Sequence, residues 1–211
     1  MKCRIPPRPL TEKQQKKADK YLIQQNSRVL NYVGRLIAVY LHENAGFGHT
    51  RFSRYNDRSY ELGRAYIDRF TTAEEEAEEY AVTSYYAIRH DLRYIGWFAE
   101  FELWQDDVFD TLAPPSTGMT RSQRQQRAAL IGYAKGISFY AREMMCIAAK
   151  ELNESNGFGC VRINKVLHPV RDRYLKLMKM YIAQENEALK AELQNALDEF
   201  NALGFFKEEK L

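Results

Sequence analysis

The chain has 211 residues, of which 45% are hydrophobic and 13% aromatic, and 31 Lys and Arg stand against 28 Asp and Glu for a net charge of +3. So much apolar side chain excludes a disordered polymer, and the near-balance of charge excludes both a DNA-coating protein and an acidic DNA mimic. Residues 1–110 hold 16 basic and 17 acidic side chains, and residues 111–211 hold 15 and 11, so the second half is the more basic one. The three cysteines, Cys3, Cys146 and Cys160, are odd in number and widely spaced. That argues against a disulfide framework or a zinc site and for a reducing compartment. The start, MKCRIPPRPLTEK, lacks the apolar centre of a signal peptide, and no run of about 18 apolar residues follows, so a soluble cytoplasmic protein is expected.

The predicted elements are all helices. The first carries Lys13, Lys16, Lys17 and Lys20 near its start, then a stripe of Val29, Val33, Leu36, Ile37 and Leu41. This spacing of three and four places the stripe on one face. The stripe runs into Gly46-Phe47-Gly48, which has the form of a helix C-cap. Gly46 is expected to be left-handed, Phe47 to fold back onto the last apolar turn, and Gly48 to permit a sharp exit. The next helix carries Arg51, Arg54, Arg58 and Arg64 interleaved with Phe52, Tyr55 and Tyr60, the most nucleic-acid-like stretch of the chain. A third helix is expected to start at the capping box of Thr72 and Glu75, with Glu74, Glu75, Glu76, Glu78 and Glu79 at the positive end of its dipole. Its seam is Ala81, Tyr85, Ile88, Leu92 and Ile95, and it closes on Gly96-Trp97-Phe98. The segment 99–110 then concentrates Glu100, Glu102, Asp106, Asp107 and Asp110 beside Phe101, Trp104 and Phe109.

After TLAPPSTGMT at 111–120, which has the composition of a linker, the order begins again. Arg121, Arg124 and Arg127 open a helix whose predicted stripe is Tyr140, Met144, Ile147, Ala148 and Leu152. It ends on Gly157-Phe158-Gly159, 111 positions after the first GFG. Leu189, Leu193, Ala196, Phe200 and Leu203 repeat the later seam at an offset of 108 and end on Gly204-Phe205-Phe206. The segment between, with Pro169 and no evident N-cap near YIAQEN, is expected to start or kink at the proline, and its last two helices to run together. The organisation this implies is a tandem duplication. A first helical unit (1–110, with the acidic and aromatic extension), a linker (111–120) and a second unit (121–211) would form a pseudo-two-fold pair.

The repeated pattern L-x-E-x-x-G-F-G-x-x-R stands here as Leu41, Glu43, Gly46, Phe47, Gly48 and Arg51, and again as Leu152, Glu154, Gly157, Phe158, Gly159 and Arg162. It resembles small single-copy prophage-type proteins of Gram-positive bacteria. This chain departs from them in holding two copies, with Cys160 where the first has His49. The resemblance implies a phage or mobile-element setting and no particular activity. Proteins of that setting include regulators, packaging accessories and inhibitors of host defence such as anti-CRISPR proteins.

His42, Glu43 and His49 flank the first GFG, but their counterparts Asn153, Glu154 and Cys160 do not repeat a ligand set, so no metal and no cofactor is expected. Without a P-loop, GxSxG, HExxH or CxxC pattern, an enzyme is not expected either. The leading expectation is a non-enzymatic interaction protein in the host cytoplasm. It would bind and inhibit or modulate a host protein, for example a CRISPR effector nuclease. Glu100, Glu102, Asp106 and Asp107 would meet a basic partner, with Trp104 and Phe109 as anchors. The alternative use of 99–110 is packing across the two units. The alternative function is a nucleic-acid-binding phage accessory, with Arg51, Arg54, Arg58 and Arg64 on phosphates.

Overall fold

The computed structural model of the chain describes residues 12–70, 92, 109, 111 and 117–205, with side chains from residue 27 to 66 in the first stretch. Five helices run through them: α1 (Glu12–Ala45), α2 (His49–Phe70), α3 (Arg121–Glu154), α4 (Cys160–Ala183) and α5 (Asn186–Ala202). Leu92, Phe109 and Thr111 are helical as well, and no strand occurs among the described residues, so the fold is all-α. The expected capping box at Thr72 and Glu75 and the acidic run lie outside the described residues, as do the other seam positions around Leu92.

Helices α1 and α3 are each 34 residues long, about 50 Å, and each stops at a GFG. The two ends are built alike. Gly46 and Gly157 are left-handed, with φ of 66° and 63°. The amide of Gly46 donates to His42 O and that of Phe47 to Leu41 O. Gly157 and Phe158 donate in the same way to Asn153 and Leu152. This nested pair is a Schellman closure widened by one residue at each bond, and it satisfies carbonyls that the helix end would leave open. Even the side chains one residue after those leucines do the same work. His42 Nδ1 donates to Phe47 O at 2.8 Å, and Asn153 Nδ2 donates to Phe158 O at 2.9 Å. The outer glycines behave differently from expectation. Gly159 has φ −77° and ψ 170°, open to any residue, and a Cβ at Gly48 or Gly159 would meet nothing within 4 Å. Neither is held to glycine by its backbone or its surroundings.

From the caps the chain doubles back across the other half. α4 runs antiparallel along α1, α2 packs on α3, and α5 lies against α1 and α4. One continuous core therefore takes side chains from both halves, Leu36, Leu41 and Phe47 with Leu152, Phe158 and Tyr174. The predicted α1 stripe is buried throughout; the α3 stripe holds at Ala148 and Leu152 but is shifted by one residue before them. Ala141, Met145, Ala148 and Leu152 are buried and Tyr140 is 37% exposed, because alanines let the neighbouring helices approach closely while Tyr140, Met144 and Ile147 face α2. At the linker, Gly118 turns with φ 80° and Thr120 caps α3 by exchanging side-chain hydrogen bonds with Gln123.

The region after Pro169 also departs from expectation. α4 passes through Pro169 without ending there. A proline inside a helix withdraws the amide that would bond the carbonyl four residues earlier, here Lys165 O. Asn44, in the last turn of α1, supplies the missing donor: its Nδ2 reaches Lys165 O at 3.1 Å. The helix then breaks at Gln184, which is left-handed at φ 60°, and α5 starts without a side-chain cap. The break lets α5 return to the core, where Ala196, Leu197 and Phe200 are buried; a straight continuation would have carried them into solvent. Its return is fixed by a polar junction. Tyr32 Oη donates to Glu192 Oε1 at 2.8 Å, Arg173 Nε meets the same oxygen at 2.9 Å, and Arg173 also pairs with Glu199. Burial, then the neighbouring Glu192, pushes the Tyr32 hydroxyl pKa far up, so it stays a donor.

The Asn44 repair is testable by a double-mutant cycle. Asn44→Ala should lower unfolding stability by about 1 kcal/mol in urea, because it orphans a carbonyl. In a Pro169→Ala background the alanine amide can bond Lys165 O, so the same change should cost clearly less. Equal costs in both backgrounds would refute the pairing.

Candidate functional site

Antiparallel packing gives the α2–α3 pair two concave flanks. At one end, the start of α2 meets the end of α3 in a small polar cleft of about 380 Å3, lined by Arg51, Arg54, Arg58, Glu151, Ser155 and Asn156. At the other, an open groove of about 920 Å3 runs between Tyr60 and Arg64 of α2 and Tyr140 and Met144 of α3, floored by Ile37 of α1. Gly63 of α2 faces α3: a Cβ there would lie 3.2 Å from Ile147 Cδ1.

The four arginines read from sequence as one phosphate-tracking face separate on this geometry. Arg51, Arg54 and Arg58 follow steps of three and four and share the cleft. Arg64 comes six residues later, about 240° around the axis, and lines the groove instead. Arg51 is committed to the caps. Its guanidinium stacks 4.0 Å from the Phe47 ring centroid and 5.8 Å from that of Phe158, and Nε and Nη2 donate to Asn156 Oδ1 at 3.4 and 3.2 Å. Arg162 stacks on Phe158 at the same 4.0 Å. Arg54 and Arg58 are exposed and make no hydrogen bond or salt bridge among the described residues. The interleaved aromatics do not form a stacking platform, because Phe52 and Tyr55 are buried in the core; Tyr60, 67% exposed, is the exception.

Of the acidic and aromatic segment, Glu100, Glu102, Trp104, Asp106 and Asp107 lie outside the described residues. Phe109 is helical and fully buried in the core, where it packs and does not stand free as an anchor for a partner. The histidines beside the first GFG both approach the Phe205 ring edge-on, at 5.6 Å for His42 and 6.2 Å for His49, and Phe205 stacks on Phe52. The end of α5 thus closes over the cap of α1. Among the described residues, no cluster of three or more His, Cys, Asp or Glu is arranged to hold a metal, and no helix is long and apolar enough to cross a membrane.

The residue that sequence reasoning passed over is Glu151. It is buried, 4% exposed, and its Oε1 has no hydrogen-bond partner among the described residues. Burial raises its pKa above the ordinary 4.5, against the hydrogen bond from the Ser155 side chain and the charge of Arg58. Its signal in the sequence was its register, three residues after buried Ala148, where a charge breaks the apolar pattern. Because the folded pKa is raised, the ionised carboxylate opposes folding above that pKa, and the effect vanishes below about 4.5, where both states are protonated. Glu151→Gln should therefore raise the melting temperature at neutral pH, with a gain that shrinks as the pH falls towards 4.5. A gain independent of pH would contradict the burial of an ionised group.

Compared with known proteins, the chain matches no protein-family model, no curated protein and no solved structure.

Proposed function

We propose that the chain is a non-enzymatic interaction protein of phage or mobile-element origin, built by duplication of one helical unit, and that it docks a basic surface of a host protein. The observation that carries the docking is the α2–α3 groove. Two exposed tyrosines, Tyr60 and Tyr140, stand at its mouth, and Asp57, Glu61 and Glu143 line it against one cation, Arg64. Tyrosine gives large contact area at small entropic cost, and three carboxylates against one guanidinium favour a basic partner. The alike closures at Gly46-Phe47 and Gly157-Phe158, with an arginine stacked on each phenylalanine, support the duplication. The setting comes from the resemblance of the repeated motif to prophage-type proteins, which makes a defence component such as a CRISPR effector nuclease the partner class. Its nucleic-acid channel offers the basic surface that the groove would take.

A second reading, a nucleic-acid-binding accessory, is favoured by Arg54 and Arg58, which stand one turn apart on α2 without a bonded partner among the described residues.

The test is phage plating on strains that each carry one active defence system. Expression of the chain should restore plating in at least one strain. Tyr60→Ala with Tyr140→Ala should reverse the rescue about tenfold or more, with an unchanged melting temperature. Duplex DNA binding that weakens steeply with salt and is lost in Arg54→Gln with Arg58→Gln, without any rescue of plating, would favour the second reading instead.

A further inference from the structure

The two halves close around the long helices to different degrees. α4 packs against both α1 and α3, whereas α2, among the described residues, packs along α3 and not along α1. The difference has a counterpart in residue size. At an offset of 111, Gly34 stands for Met145 and Gly63 for Tyr174. Met145 and Tyr174 are fully buried, and the Tyr174 hydroxyl lies 2.7 Å from Ser138 Oγ of α3, so bulky side chains fill that half. The floor of the α2–α3 groove is left open instead. A Cβ on Gly34 would meet nothing within 4 Å among the described residues, so no neighbour requires a glycine there. Glycine inside a helix weakens it relative to methionine, and what the missing side chain leaves is room in the groove.

The shape of that room fits a helix. Leu30, Gly34 and Ile37 of α1 lie at steps of four and three along it, and Tyr140, Met144 and Ile147 of α3 line it at the same steps. Two such rows are the ridges between which another helix sets a four-and-three seam of its own. They extend for about 10 Å, roughly two turns, which is the reach of an i, i+4, i+7 anchor set. Leu30, Met144 and Ile147 are only partly buried, so an incoming side chain can touch them. An extended chain would find no strand edge here to bond its amides and carbonyls, whereas a helix bonds its own. The rim sets the charge. Asp57 and Glu61, one turn apart on α2, are exposed and repel each other, and neither makes a salt bridge among the described residues. We infer that the groove seats an amphipathic helix of the partner, apolar at steps of four and three, with lysine or arginine on the flank facing Asp57 and Glu61. This rests on the docking of a basic protein surface at the same groove and names the element that docks.

Calorimetric titration of the full chain at low salt tests the seat with three synthetic peptides. The first has leucines at steps of four and three and lysines elsewhere. The second carries glutamate for lysine, and the third is the lysine peptide with a central proline that breaks the helix. The lysine helix should bind one per chain, at least about tenfold tighter than either control. Gly34→Met, which sets the residue of the other half into the groove, should weaken that binding about tenfold or more while the melting temperature holds or rises. Asp57→Asn with Glu61→Gln should weaken it as well and flatten its dependence on salt. The seat is refuted if either control binds as well as the lysine helix, if no peptide binds folded protein, or if either variant keeps full affinity. Helix binding that Gly34→Met removes supports the seat even where plating is not rescued, a result that refutes only the defence partner. Tyrosine-dependent rescue without helix binding refutes the seat and leaves the docking of a basic surface standing.

Discussion

Phe47 and Phe158 meet edge to face, with ring centroids 6.2 Å apart, and the rest of the architecture is arranged around that contact. Each ring is delivered by a left-handed glycine and a widened hydrogen-bonded closure, and each is covered on its outer face by the arginine four positions later, at 4.0 Å. Burying a phenylalanine is worth about 1.5–3 kcal/mol, with about 0.5–1.5 more for an oriented ring pair and about 0.5–1 for an exposed cation over a ring. Against a net stability of about 5–15 kcal/mol for a domain, this one junction is a large share. It also sets direction: both long helices end at the same point, and among the described residues the helix that follows each one packs on the long helix of the other half.

Among the described residues, the two halves differ in how they are built around that shared centre. Where α4 contains Pro169, Asn44 repairs the open carbonyl of Lys165; on the other side Arg58 takes the place of the proline and the cleft beside it remains open. His42 and Asn153 differ in chemistry but bond the same carbonyl of their closures, so the imidazole acts there as an amide would. The left-handed Gln184 has no glycine to ease it, and it is held because α5 returns to bury Phe200 and to complete the junction of Tyr32, Arg173 and Glu192.

Helix α2 is consequently the element with two faces to offer. Its buried residues, Phe52, Tyr55 and Tyr66, anchor it to the core, while its flanks present an acidic, tyrosine-bearing groove and an arginine-bearing cleft. Glu151 ties the second of these to the interior. A buried carboxylate with one oxygen unpartnered among the described residues weakens the fold.

By itself, the sequence determined the helical class, the glycines that end α1 and α3, the buried stripe of α1 and the position of Leu92 in the core, because each rests on a period or a local dihedral preference that neighbouring residues set alone. Only the tertiary structure decided the rest. The tolerance of Pro169 depends on Asn44, 125 positions away in the chain, and the burial of Tyr140 or Ala141 depends on which neighbour each face of α3 meets. The separation of Arg64 from Arg54 and Arg58, and the meeting of those two with Glu151, likewise required α2 to be laid antiparallel on α3. Periodicity assigns a residue to a face; what stands opposite that face is a long-range contact, and no local pattern carries it.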